Sequence, residues 1–272
     1  MKKMLHALAL LVCLLPAAGA VAADDTATSR QADVPQFMKS CRLATGSPVE
    51  MAPLPNTMRA MRDLKRIRIL TIGAPSIGSE TSAPDYQQAL EETLKRTIKG
   101  LAVEVVNRGV SGELVADAAD RLKAEVALVE PDLVLWQVGT SDALARVPVA
   151  EFEASLRTSL RWLKERHVDV ILVGARYSRR LKKDRQYQAL RASVFRVAQQ
   201  ENVLRISQYR AMEAMEKAEA KEALTVDAYG LSEDLYPCVA VYAAESVIAR
   251  WSAQKAPPQT QPLQGQSAPK AN

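Results

Sequence analysis

From Arg66 onward the chain alternates short apolar runs with longer stretches in which apolar residues recur every three or four positions. A continuous or alternating apolar run marks a strand, and a 3.6-residue period marks an amphipathic helix. Strands are expected at 67–73 ("IRILTIG"), 102–109 ("AVEVVNRG"), 131–139 ("PDLVLWQVG"), 168–174 ("VDVILVG") and 202–206 ("NVLRI"). Helices are expected at about 85–100, 113–129, 149–166, 185–200, 209–223 and 238–252, with Gly100 a natural stop for the first. Five strands alternating with helices form βαβ units. They predict an α/β fold of three layers, α/β/α, around a five-stranded parallel sheet. Such sheets carry their sites at the C-terminal ends of the strands.

The flanks read differently. Residues 1–22 hold Lys2 and Lys3, an apolar run from Leu5 to Leu15 and the small-residue stretch Ala20-Val21-Ala22. They read as a secretory signal peptide, with a retained anchor as the alternative. Residues 23–65 are polar and Pro-punctuated ("APLPNT") and read as an extended N-terminal arm laid over a domain of residues 66–253. Residues 254–272, rich in Pro and Gln, read as a disordered tail. The chain is thus expected to be exported, periplasmic or secreted, with no transmembrane segment after cleavage.

Charge and cysteine change this picture little. Loss of Lys2 and Lys3 leaves 34 basic against 31 acidic residues, net +3, too weak an excess to argue for nucleic acid. Cys13 leaves with the leader. Cys41 and Cys238 remain, and in an exported protein they are expected to form a disulfide between the lead-in and the last helix, two free thiols being the alternative. Neither has metal-ligand spacing and only two histidines are present, so no metal or other cofactor is expected.

The loops after the strands hold the candidate chemistry: "GAPSIGSE", "NRGVSGE", "GTSDAL" and "GARYSRRLKKDR", joined by the late segment "VDAYGLSEDLYPC". In order and spacing over about residues 66–250 they resemble the SGNH, or GDSL-type, hydrolases, a family of secreted and cytoplasmic esterases and acylhydrolases. "VVNRGVSGE" and "PDLVLWQVGTSDAL" look especially like a proteobacterial exported branch. The resemblance implies a flavodoxin-like fold and four catalytic parts. A serine of the first loop attacks an ester carbonyl, and a histidine of the last loop, oriented by an aspartate, takes its proton. A glycine N–H and an asparagine amide complete the oxyanion hole.

Matched residue by residue, the chain departs from that pattern. Gly112 holds the glycine position, either as oxyanion donor or as a turn residue. The family's G-x-N-D reads Gly139-Thr140-Ser141-Asp142, so Ser141 stands where the amide should be. Asp227 holds the aspartate position while Gly230 replaces the histidine; a shifted match, Glu233-Asp234-Leu235-Tyr236, lacks histidine too. Pro75 occupies the nucleophile's position and removes the N–H that the nucleophile would contribute, with Ser76 one place later. Ser76 is then either a displaced nucleophile or a loop serine capping a turn. His6 leaves with the leader, and His167 precedes the fourth strand, roughly 20 Å from the reactive edge at about 3.3 Å per residue.

Basic residues crowd the loop after the fourth strand. Arg176, Arg179, Arg180, Lys182 and Lys183, followed by Arg185, form either an anion-attracting rim or a solvated loop. The expectation is a degenerate SGNH-like protein, not a working enzyme, acting as a binding or accessory domain for an acidic or acylated envelope glycan or lipid. The alternative is a weak esterase or acylhydrolase using Ser76, with Asp227 or Glu233 as the base.

Overall fold

The structure, a computed structural model, describes residues 41, 49–50, 52–73, 86–218 and 236–255. Its sheet carries the order β1-β6-β5-β4-β2-β3, with β1 Val49–Glu50, β2 Arg66–Ile72, β3 Ala102–Asn107, β4 Leu133–Gln137, β5 Asp169–Val173 and β6 Leu204–Ile206. Strands β2 to β6 are all parallel, as expected, and the two-residue β1 adds antiparallel to β6 at one edge. β4 and β5 lie mid-sheet, which is why "LVLW" and "DVILV" are buried throughout: both faces are covered.

The chain steps from β2 outward to β3, then crosses back to β4 on the other side and continues one way to β6. Right-handed crossovers therefore place helix α2 (Tyr86–Thr97) on one face and α3 (Val115–Val129), α5 (Val149–Glu165) and α6 (Arg185–Gln200) on the other. The last two helices are α7 (Gln208–Ala218) and α8 (Tyr236–Lys255). α8 packs against α2, and α3, α5 and α6 pack side by side. That makes the three layers. The reversal at β2 is a topological switch point, where the strand ends leave a crevice.

The arm differs from expectation. It is not extended throughout, because Pro55–Asp63 forms helix α1. Proline opens the helix, and Thr57, Met58, Ala60 and Met61 turn one face inward. Leu54 at the cap has no side-chain acceptor. A residue far along the chain supplies one instead: Asp169, the first residue of β5, accepts from the Thr57 N–H and from the Asn56 amide, both at 2.8 Å.

The lead-in is fastened as well. Cys41 and Cys238 are disulfide-bonded across 197 residues of sequence. The Tyr242 hydroxyl donates to the Cys41 carbonyl at 2.7 Å, and Arg250 Nε donates to the Ala52 carbonyl at 2.6 Å. The signal-peptide expectation lies outside the described residues, as does the tail expectation apart from residues 254–255, which continue α8. Among the described residues no helix is long and apolar enough to cross a membrane.

Candidate functional site

Three loops meet at the C-terminal edge beside the switch point. β2 ends at Gly73, with φ +88°, and a Cβ there would overlap the Gln137 carbonyl oxygen of β4. Only glycine lets the two strand ends approach so closely. Pro75 and Ser76 follow, outside the described residues, as do Asp227, Gly230 and Glu233.

The β3 loop is shaped by Asn107, whose Oδ1 accepts from the Thr71 hydroxyl and from the Gly109 N–H, both at 2.9 Å. Gly112 is exposed, has φ +76°, and has open space where a Cβ would project. Its requirement is conformational, not steric. Both readings of Gly112 fit this geometry, since the first turn of α3 begins three residues later, and its N–H groups have no partner within the helix.

The β4 loop coils into a short helix, α4 (Thr140–Leu144), preceded by Gly139 at φ +92°. The buried Asp142 carboxylate accepts from the Val115 N–H at 2.9 Å through Oδ1 and from the Gly139 N–H at 3.3 Å through Oδ2. Burial pushes its pKa up against these hydrogen bonds, which pull it down. One carboxylate thus ties the Gly112 loop, at the start of α3, to the Ser141 loop. Ser141 is half-buried between them, and its side chain makes no hydrogen bond among the described residues. Only half of a capping box is present, because the acid three residues into the helix reaches back to the Gly139 N–H while glycine has no side chain to return the bond.

The β5 loop is gripped differently. The Arg176 N–H donates to the Thr140 hydroxyl at 3.1 Å, and the Arg176 carbonyl accepts from the Tyr187 hydroxyl of α6. The Arg176 backbone is therefore held on both its N–H and its carbonyl, and further along the rim the Lys182 carbonyl accepts from the Gln188 amide at 2.9 Å. Arg179, Arg180, Lys182 and Lys183 ride an exposed turn that ends at Asp184. Asp184 caps α6 by accepting from the Tyr187 N–H at 2.8 Å, and it holds Arg146 at 2.7 and 2.9 Å. That guanidinium, with the backbone N–H groups, holds its carboxyl below the usual range.

His167 is far from all of this. It is exposed, in a left-handed turn with φ +58° between α5 and β5, and its N–H donates to the Lys164 carbonyl at 3.1 Å. It sits where β5 begins, at the N-terminal edge of the sheet. A cleft of about 130 Å³ opens at that same edge, lined by Asn56, Lys164, Asp169 and Glu201. Its carboxylates are already occupied, Asp169 by the α1 cap and Glu201 by Arg157 and Arg161.

This geometry agrees with comparison to known proteins. The sequence pattern of the non-GDSL lipase-like family matches residues 40–252. The chain belongs to that family. The match begins at residue 40, so it includes the lead-in and α1, which the disulfide and Asp169 fasten to the domain. "Non-GDSL" also suits a first block that reads Gly73-Ala74-Pro75-Ser76. No curated protein is significantly similar in sequence.

Solved structures place the family member in the SGNH-hydrolase-like fold. The acetylxylan esterase Axe2 of Geobacillus stearothermophilus is 22% identical, with a TM-score of 0.55 over 66% of this chain and 94% of its own. A putative GDSL-like lipase of Parabacteroides merdae is 17% identical, with a TM-score of 0.55 over 68% and 95%. TesA is 21% identical, with a TM-score of 0.53 over 68% and 98%.

Proposed function

We propose that this family member is an exported SGNH-like domain that binds an acidic or acylated envelope glycan or lipid without hydrolysing it. The observation carrying this reading is the position of His167. It is the one histidine beyond the apolar leader, and it stands at the opposite edge of the sheet from Gly112 and Ser141. A serine needs a base within about 3 Å, directly or through one water, and carboxylates near pKa 4 serve a hydroxyl badly at neutral pH. Ser141 in place of an amide removes a second part of the machinery. Parts of a triad act as a unit, so loss of the base alone removes most of its benefit. The disulfide supports an oxidising compartment.

A weak ester hydrolase using Ser76 is the second reading, favoured by the retained Gly112 loop and Asp142 clamp. Labelling of the purified mature protein with a fluorophosphonate, beside Ser76→Ala, separates the two. No labelling of either protein is expected. Labelling that disappears in the variant would establish the hydrolase.

A further inference from the structure

Beside the Ser141 loop, the ends of β5 and β6 gather three tyrosines and three arginines. Tyr177 and Tyr209 meet edge to face with centroids 5.1 Å apart, and both are buried. The Arg191 guanidinium of α6 lies 4.0 Å from the Tyr209 ring centroid. The buried Tyr187 hydroxyl grips the Arg176 carbonyl. Burial raises the Tyr187 pKa, with Arg176 and Arg191 opposing it, and burial raises that of Tyr177, with Arg179 opposing it. Arg176 and Arg191 thus act on Tyr187, and Arg179 acts on Tyr177.

Arg191 is the informative member. Four other arginines on this side of the sheet have carboxylates: Arg146 pairs with Asp184, Arg157 and Arg161 with Glu201, and Arg196, one turn and a half further along α6, with Glu153 at 2.6 Å. Arg191 is half-buried, stacked on Tyr209, and has no carboxylate partner among the described residues. Glu213, which also acts on Tyr177, pairs with Lys217 at 3.6 Å. A guanidinium stacked on an aromatic face presents its N–H fork edgewise, which suits the two oxygens of a carboxylate or phosphate.

A second observation lies at the same strand end. Gln208, the first residue of α7, is fully buried, and among the described residues neither its Nε2 nor its Oε1 has a hydrogen-bond partner. Buried amides are nearly always paired, since leaving one unpaired is costly. The geometry points to an oxyanion subsite at the ends of β5 and β6, in which Arg191 and Arg176 hold a carboxylate or phosphate of an acidic glycan. A glycan fits better than a lipid surface. The turn beside the cluster carries Arg179, Arg180, Lys182 and Lys183, and among the described residues the large exposed apolar side chains, Leu64, Val110, Leu128 and Phe195, lie outside that turn.

This subsite rests on reading the strand-end crevice as a binding site, and deepens that reading by naming the ligand's charge. Calorimetric titration of the mature protein with tetragalacturonate and with glucose 6-phosphate tests it and separates carboxylate from phosphate, with maltotetraose as the neutral control. Binding of at least one anion is expected, with none of maltotetraose. Affinity should fall at least tenfold in Arg191→Gln and in Arg176→Gln, less in Arg191→Lys, and not at all in Arg157→Gln. Circular dichroism and unchanged thermal melting of Arg191→Lys guard against misfolding. Absence of binding to either anion, undiminished binding in both glutamine variants, or binding only to phosphatidylglycerol vesicles would each overturn the proposal. The fluorophosphonate result is independent of all these. A labelled Ser76 would end the non-catalytic reading and leave the oxyanion subsite standing.

Discussion

The Asp142 carboxylate accepts the Val115 N–H at 2.9 Å, joining two loops separated by 27 residues. Its other oxygen takes the Gly139 N–H at 3.3 Å, so the loops that carry Gly112 and Ser141 share one buried anchor. Both donors belong to helix starts, where backbone N–H groups have no partner within the helix. The two loops that carry the candidate positions Gly112 and Ser141 are thus held in one arrangement.

Removing that anchor should cost stability in a pH-dependent way. Asp142→Ala leaves two buried N–H groups unpaired and should cost roughly 2–3 kcal/mol, while Asp142→Asn, which keeps an acceptor, should cost less. Burial raises the folded pKa above the ordinary 3.8, so the folded state holds the proton more tightly than the unfolded chain. The stability this linkage supplies is complete below the unfolded pKa and is lost as pH rises through the folded value. Urea unfolding from pH 3.5 to 7 should show the wild-type advantage over Asp142→Asn shrinking as pH rises. An advantage that grows with pH would refute the assignment.

Two glycines of the site should respond differently to the same change. Gly73 and Gly112 both have positive φ, +88° and +76°, so alanine strains either by roughly 1–2 kcal/mol. At Gly73 the methyl also meets the Gln137 carbonyl, adding about 1–3 kcal/mol of overpacking, whereas at Gly112 it enters open space. Gly73→Ala should therefore lose clearly more stability than Gly112→Ala in urea unfolding. Equal losses would mean that β2 and β4 do not approach as described.

What the sequence revealed follows from where each constraint originates. The five parallel strands were legible within about two residues because their burial pattern is local. Helix α1 was not: its nine residues begin at Pro55 in a Pro-punctuated stretch, and its cap, Asp169, lies 112 positions away from Thr57. The five-residue α4 is too short to show a period. Among the site residues, Gly112 and Ser141 stood out by motif position. Arg191 had no sequence signal, because its isolation from carboxylates and its stacking on Tyr209 arise only when α6 and α7 meet. The basic run was legible as a run, yet nothing local distinguished Arg176, whose backbone is held by Thr140 and Tyr187.

Thiol titration of the unreduced mature protein should find no free cysteine. The Cys41–Cys238 bridge closes a loop with a sequence separation of 197, for which loop-entropy reasoning gives about 5 kcal/mol and common experience about 2–5. Reduction, or the Cys41→Ser/Cys238→Ser double change, should therefore lower the urea midpoint substantially. The bridge also ties the lead-in to the first part of α8, so limited proteolysis should cut near residues 42–51 faster once it is opened. A midpoint unaffected by reduction would show that the Tyr242 and Arg250 hydrogen bonds suffice to hold the lead-in.

Ser141→Asn puts an amide at the position that the motif match aligns with the hydrolases' oxyanion donor, and so asks whether the rest of the proposed machinery works. In an active serine hydrolase one such donor is worth about a hundred- to thousandfold in rate. That benefit arises only when a nucleophile forms the tetrahedral intermediate, which here would require a base to activate Ser76. The His167 imidazole is at the wrong edge, and Gly230 offers no side chain. Hydrolysis of p-nitrophenyl acetate by Ser141→Asn should therefore stay at the level of Ser76→Ala. A gain of a hundredfold that vanishes in the Ser76→Ala/Ser141→Asn double variant would show a base already in reach of Ser76. The protein would then be a slow hydrolase limited by its missing amide.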